Sequence, residues 1–407
     1  MTSNCFIFSD DIKKPSIITP SNIKSVLDYY YSSQKLDKIN DSFWSNSQLF
    51  NQENYMMCAL MINITYLCCG GAKYTQICEN NDINKLLDSI GVKNANRALS
   101  TFSTAFGYGG EDKAWFATMG IIGPNLGVIS WRGTQTETEW VANFSPGFYQ
   151  SSFKTCNEPL TYNNDKTCNL SSLPFFQEYD GLDDPPKVHS KMLDIYNDSV
   201  ITTADGVKYS IYGAIKNLYP PETQWIITGH SLGAALAELC AADLSSRGVK
   251  INSVYLFASP SPGNDIYLNI YNKLPDNNSN GKNMHDITYN IKNIDDIVPN
   301  SLKYYDFGRQ LIGTVKKFDG PGGKITSPSI AHNMCISYII SGINKLFPTP
   351  SNNIPRSGNI QLPPITQFSA NLLEQVKKHY FLILIIIIIT IIFITLLLII
   401  LKNFRKV

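Results

Sequence analysis

The chain has 407 residues, enough for one large domain or two small ones, and 34 Lys and Arg against 33 Asp and Glu leave a net charge of +1. That balance gives no electrostatic case for nucleic acid as a partner. Nine cysteines with no C-x-x-C pair argue against a metal centre and favour small buried thiols, with Cys156 and Cys168 able to close a polar loop only in an oxidising compartment.

Residues 1–53 are polar and mixed, and read as an N-terminal extension. Residues 54–69 are apolar on more than one face and stop at Gly70-Gly71, which reads as a buried helix. A short amphipathic helix is expected over residues 81–90. Residues 114–122 and 127–131 form two apolar strands around the turn residues Gly123-Pro124-Asn125, a hairpin whose second strand runs into Arg132-Gly133-Thr134. Residues 135–148 place Trp140, Val141 and Phe144 on one helical face. Residues 149–187 are polar with several Pro and Gly, a long loop or insertion. Residues 188–218 carry helical periodicity with a break near Ala204-Asp205-Gly206.

The centre of the chain is Trp225-Ile226-Ile227-Thr228-Gly229-His230-Ser231-Leu232-Gly233-Ala234-Ala235. Its β-branched and aromatic start reads as a strand, and its Ala- and Leu-rich continuation reads as a helix. Between them lies G-x-S-x-G, which puts Ser231 on a sharp strand-to-helix turn with its hydroxyl exposed. The turn opens a helix, so the N–H of Leu232 is available to a developing oxyanion.

Downstream, residues 251–258 read as a strand, 265–274 as a helix, 275–283 as a flexible tip and 287–294 as a strand. One or two short strands fall within 304–318, and a helix spans 330–343. Strands alternating with helices predict an α/β fold with a mostly parallel sheet. In a hydrolase of that kind the triad runs Ser, acid, His. Of the histidines after Ser231, His285 lies within a strand-preceding tip and His379 abuts an apolar run, which leaves His332. The acid is expected just past the strand ending at residue 294, where both Asp295 and Asp296 stand. Serine needs the base, and the carboxylate orients the imidazole.

These residues resemble the class 3, or fungal-type, lipases of the α/β-hydrolase fold, over roughly residues 54–343. Gly229 to Ala237 is similar to that family's elbow, Trp131-Arg132-Gly133-Thr134 to its oxyanion segment and Lys187-Val188-His189 to a helix entry. Phe257 to Asn264 is similar to a strand end, Phe307-Gly308-Arg309 to a strand, and Ala331-His332 followed by Tyr338 to the family's ending. Asp296-Ile297-Val298-Pro299 is similar to the family's D-I-V-P, and that favours Asp296 as the acid. The resemblance implies a serine lipase with the triad Ser231, Asp296 and His332, oxyanion donors from Thr134 and Leu232, and a lid over residues 135–148 carrying Trp140. It implies no cofactor or metal, and no obligatory protein partner is evident. Triacylglycerol and phospholipid are both compatible substrates. An acyltransferase, a thioesterase and a silent membrane-bound relative of the fold are the alternatives. Lys191-Met192, Ala258 and Pro262 depart from the family's residues, away from the triad.

Residues 347–379 are rich in Pro, Asn and Ser and read as a tether. Residues 381–401 are an unbroken apolar run with only Thr390 and Thr395 polar, roughly 31 Å as a helix and long enough for a bilayer core. Basic residues flank both sides, with a short tail over 402–407. The expectation is a C-terminal anchor inserted after synthesis, with the catalytic domain on the cytosolic side of the bilayer that holds its lipid substrate.

Overall fold

The computed structural model describes residues 44–68, 84–103 apart from 85, 86 and 89, and 111–134. It also describes three short strand segments at 148–150, 153–154 and 170–171, then 186–299, 312–320 and 331–347 apart from 333. The expected lid residue Trp140, the segment with Cys156 and Cys168, the strand expected at Phe307-Gly308-Arg309, the expected tether and the apolar run all lie outside these residues. Among the described residues no helix is long and apolar enough to cross a membrane.

A buried helix, α1 (Gln52–Cys68), is the first described helix, and Asn51 caps it through Oδ1, which accepts from the Asn54 N–H at 2.8 Å. Strands β1 (Lys93–Ser103), β2 (Glu111–Gly123) and β3 (Leu126–Trp131) follow as an antiparallel meander. Short strands β4 (Phe148–Gln150), β5 (Phe153–Lys154) and β6 (Leu170–Ser171) lie within the expected insertion; β4 pairs with β7 (Lys187–His189), and β5 with β6.

Residues 188–218 are not one interrupted helix. Helix α2 (Ser190–Asn197) is followed by a hairpin of β8 (Val200–Thr202) and β9 (Lys208–Tyr209), then by α3 (Ile211–Leu218). The break at Ala204-Asp205-Gly206 is the hairpin's turn, with Gly206 at φ +82°. Then come β10 (Gln224–His230), α4 (Leu232–Ser246), β11 (Ile251–Phe257), α5 (Asp265–Lys273), the one-turn α6 (Met284–Ile287), β12 (Thr288–Asn293) and β13 (Thr314–Phe318). The expected closing helix is mostly a π-helix, Met334–Gly342, which runs into α7 (Ile343–Leu346).

The main sheet is mixed, in the order β13-β12-β11-β10-β3-β2-β1-β8-β9. From β3 to β13 neighbouring strands are parallel, and the β2, β1, β8, β9 side is antiparallel. Alternate residues of the central strands feed two cores. Ile227, Val254 and Leu256 face one with α2 to α5; Ile226, Tyr255 and Phe257 face the other with α1 and the π-helix. Both faces are covered, so β11 is buried along its whole length, as a central parallel strand requires.

A segment expected to be a flexible tip and part of the expected N-terminal extension are both tightly hydrogen-bonded. Residues 275–283 use their asparagines as hydrogen-bonding partners: Asn277 Nδ2 donates to the carbonyls of Ser245 and Val249, Asn278 Nδ2 donates to Ile251, and Asn283 caps α6. Residues 44–50, assigned from sequence to a polar extension, form a strap across the sheet. Asn252 Nδ2 donates to the Asn46 carbonyl at 3.1 Å, Gln48 Nε2 to Asp276 at 2.8 Å, and Tyr289 Oη to the Gln48 carbonyl at 2.6 Å. Phe50 lies 5.1 Å from the ring of Tyr289 and 5.0 Å from that of Phe347. Asn63 is buried with Nδ2 bonded to the Ala59 carbonyl, and Cys58 and Cys240 are buried free thiols.

Helix α4 carries two buried acids: Asp243, which accepts from Tyr196 Oη and Arg247 Nε, and Glu238, whose two oxygens lack well-formed hydrogen bonds. Burial pushes the Glu238 carboxyl well above the ordinary range, and Ser259 only partly offsets this. The folded state therefore holds a proton that the unfolded chain gives up as pH rises above the ordinary value of 4.5. Stability drains away from there upward, at up to about 1.4 kcal/mol per pH unit. Glu238→Gln cannot ionise, so its melting temperature is expected to gain a few degrees on the wild type between about pH 5 and about pH 8. A difference that stays constant across that range would show that Glu238 is not held protonated.

Candidate active site

Four of the five parallel strands, β3, β10, β11 and β12, end on the edge of the sheet that carries Ser231 and Asp296. Ser231 follows β10 with φ +60° and ψ −129°, a conformation that non-glycine residues rarely hold. It is over-determined by its surroundings. The Ser231 N–H donates to the Phe257 carbonyl at 2.9 Å, and the Ser231 carbonyl accepts from Ala234 at 2.9 Å. A Cβ on Gly229 would strike the Gly233 backbone, and one on Gly233 would strike the carbonyls of Trp131 and Arg132. The two glycines of the motif thus let the elbow close and let α4 approach β3.

His332 sits in a turn before the π-helix. Its Nε2 lies 2.8 Å from Ser231 Oγ and its Nδ1 lies 2.8 Å from Asp296 Oδ2. The imidazole is partly open, at 21% side-chain exposure, whereas the Asp296 carboxylate is fully enclosed. Oδ2 also accepts from the Tyr338 phenol at 2.7 Å, and Oδ1 accepts from the Val298 N–H at 2.9 Å. Burial, with the Asp296 carboxylate beside it, holds the Tyr338 phenol well above its usual range, so it stays a donor. Asp295 sits half-buried on the same turn, and its N–H points back to Asn293 Oδ1. Of the two candidate acids, Asp296 is the one bonded to His332.

Leu232 is the first residue of α4, so its N–H has no carbonyl four residues back within the helix. Beside it, Gly133 packs so closely that a Cβ there would fall 2.8 Å from the Ser231 Cβ. The half-buried Thr134 is the next residue in the chain. The arginine of this segment is structural. Buried Arg132 donates from Nε to the Trp115 carbonyl and from a terminal nitrogen to the Gly133 carbonyl, each at 2.8 Å, and lies 4.2 Å over the Phe116 ring. It fixes the peptide that leads to Thr134. His189 is buried at the start of α2, its N–H on the Pro262 carbonyl, away from the triad contacts.

Sequence reasoning passed over His230. It is buried, with Nδ1 2.9 Å from the Tyr66 hydroxyl and Nε2 3.0 Å from the His332 carbonyl. A carbonyl can only accept, so Nε2 carries the proton and the Tyr66 hydroxyl donates to Nδ1. Burial, then the neighbouring His332, pushes its pKa well below the ordinary histidine value, so it is neutral. Among the described residues no group of histidine, cysteine and carboxylate side chains is arranged to hold a metal.

The geometry sets a hydroxyl against an imidazole that could take its proton, and that imidazole against a buried carboxylate. Residues 128–305 match the family model described as lipase (class 3). Phospholipase A1-II 1 of Oryza sativa subsp. indica is 28% identical over 227 residues, covering 51% of this chain and 48% of that protein. The secreted mono- and diacylglycerol lipase 1 of Fusarium solani is 28% identical over 142 residues, covering 35% of this chain and 32% of that protein. The crystal structure of Lip2 lipase from Yarrowia lipolytica aligns with 68% of this chain and 82% of its own, at 19% identity and a TM-score of 0.41. The chain spans about half the length of the rice protein it matches. The matched stretch begins within the strand that leads to Thr134 and ends past Asp296, so this part of the chain is similar to the class 3 lipases.

Proposed function

We propose that this protein hydrolyses acyl ester bonds of lipids through a serine acyl-enzyme. The observation that carries the reading is the continuous hydrogen-bonded line from Ser231 Oγ through His332 to Asp296, with 2.8 Å at each step. His332 Nε2 takes the hydroxyl proton as Oγ attacks the ester carbonyl. The carbonyl oxygen becomes an oxyanion, held by the N–H groups of Leu232 and Thr134. The tetrahedral adduct collapses, and the C–O bond to the alcohol breaks as the imidazolium protonates that oxygen. Water then attacks the acyl-enzyme, giving its proton to His332. Fatty acid leaves, and the proton returns to Ser231.

The rice relative is named for phospholipase A1 activity and the Fusarium relative for mono- and diacylglycerol lipolysis, and either head group suits this machinery. Fatty-acid release from phosphatidylcholine, diacylglycerol and triacylglycerol, each as vesicle or emulsion, tests the reading. Release from at least one is expected, with fluorophosphonate labelling of Ser231. Neither release nor labelling would end it.

We further propose that residues 381–401 hold the protein on a membrane, where the substrate resides. The support is the length and unbroken apolarity of that run. Deleting it is expected to move the protein from the alkaline-carbonate-resistant membrane fraction to the supernatant. Retention of the deleted form in the membrane fraction would refute the anchor.

A further inference from the structure

The catalytic histidine sits in a turn, and its backbone is held by two buried side chains that neighbour the other two triad members. We propose that His230 and Asn293 are positioning residues that clamp this turn, and so set the reach of His332 toward Ser231. The inference rests on the serine-esterase reading above.

Asn293 closes β12, three residues before Asp296. Its amide makes every hydrogen bond open to it. Nδ2 donates to the Ala331 carbonyl at 3.1 Å and to Ser337 Oγ at 2.7 Å. Oδ1 accepts the N–H groups of Asp295 at 3.2 Å and Gly320 at 3.1 Å. Turning the amide over would set Nδ2 against two N–H donors and Oδ1 against a carbonyl, so the network fixes its orientation. One side chain thus ties the acid's turn to the residue just before His332 and to the π-helix that carries Tyr338.

His230 is the second point. It precedes Ser231, and its Nε2–H holds the carbonyl of His332 itself at 3.0 Å. The two imidazoles lie 4.7 Å apart, tilted by 32°. Tyr66 fixes the His230 tautomer from α1, and its hydroxyl lies where a Cβ on Gly133 would be. Consecutive carbonyls, of Ala331 and His332, are therefore anchored to the acid strand and the nucleophile strand respectively. The π-helix continues the same arrangement, since Tyr338 offers its carbonyl to the Tyr55 hydroxyl at 2.5 Å while its phenol serves Asp296. With either anchor cut, His332 keeps its bond to Asp296 but can pivot about it, lengthening the distance to Ser231 Oγ.

The test uses the full chain with His230→Phe, His230→Gln, Asn293→Asp and Tyr66→Phe. Displacing a catalytic group by about 1 Å costs about 10²-fold. We expect His230→Phe and Asn293→Asp to lose between about tenfold and 10²-fold in kcat on a short-chain ester, with KM within about twofold. Glutamine can present its amide nitrogen where Nε2 stood, so His230→Gln should recover most of the loss. Tyr66→Phe, the mildest change, should show the same kcat-only loss at smaller size and serves if the first two do not fold. A second readout needs no turnover. The Nδ1 proton of His332, shared with a carboxylate, should give a far-downfield proton resonance that broadens through faster exchange in the clamp variants and is kept in His230→Gln. Wild-type kcat together with an unchanged resonance in a folded variant would overturn the clamp, as would His230→Gln behaving like His230→Phe. If the wild type shows no Ser231-dependent hydrolysis, the esterase reading fails, and the resonance still decides the clamp.

Discussion

Ser231→Ala is expected to abolish ester hydrolysis, by on the order of 10⁵- to 10⁶-fold in kcat, and to leave the fold intact. The loss is large because, on the proposed mechanism, the hydroxyl is the group acylated, and it is the group that the imidazole meets at 2.8 Å. Whatever acceleration survives would come from the backbone donors and from binding. Stability should hardly move. Ser231 keeps its φ of +60° through the Phe257 and Ala234 backbone bonds, which alanine makes equally well. Turnover of a short-chain ester and a thermal melt, measured on the same sample, decide the matter. A variant that turns over like the wild type would place the nucleophile elsewhere.

Asp296→Asn is expected to cost about 10⁴-fold, and Asp295→Asn only a few-fold. Asp296 receives three donors and gives none: the His332 Nδ1–H and the Tyr338 phenol on Oδ2, and the Val298 N–H on Oδ1. An asparagine there must aim its NH₂ either at Val298 N–H or at His332. Facing His332, it forces the proton onto Nε2, where the base must accept Ser231's proton. Facing Val298, it sets two donors against each other in a buried site. Asp295 touches neither ring nitrogen. The pH dependence of kcat for both variants, with melts alongside, checks this. A larger loss at Asp295 would reverse the assignment of the acid.

The elbow, the order of the triad and the hairpin that feeds Thr134 were legible because local chemistry dictates them. Gly229 and Gly233 stand where a Cβ has no room, and the apolar strands are too short and too β-branched to be read otherwise. The choice between Asp295 and Asp296 was not available from periodicity, since the turn after β12 breaks the strand's alternation; resemblance to the lipase motif favoured Asp296, which is the one hydrogen-bonded to His332. Other features had no local signal. The hairpin β8–β9 hid inside a helical pattern because strands of three and two residues carry no period. The π-helix has the apolar pattern of an α-helix, and its wider backbone turn carries no mark in the sequence. The roles of His230, Asn293 and Arg132 depend on carbonyls brought in from segments distant in the chain.

The strap at residues 44–50 bears on how the chain folds. Its hydrogen bonds join residues 206, 228 and 241 positions apart, to β11, to the loop before α6 and to β12. Such contacts are the costliest in loop closure and cannot form until most of the chain is in place. The strap is thus set to dock late, once the parallel strands it crosses have paired. Trimming the chain at residue 54, where the family resemblance begins, would leave the Asn252 amide and the Tyr289 phenol without these partners and uncover the aromatic side chains that Phe50 covers. The expected signature is accelerated unfolding with the refolding rate nearly unchanged, as for any contact absent from the folding transition state.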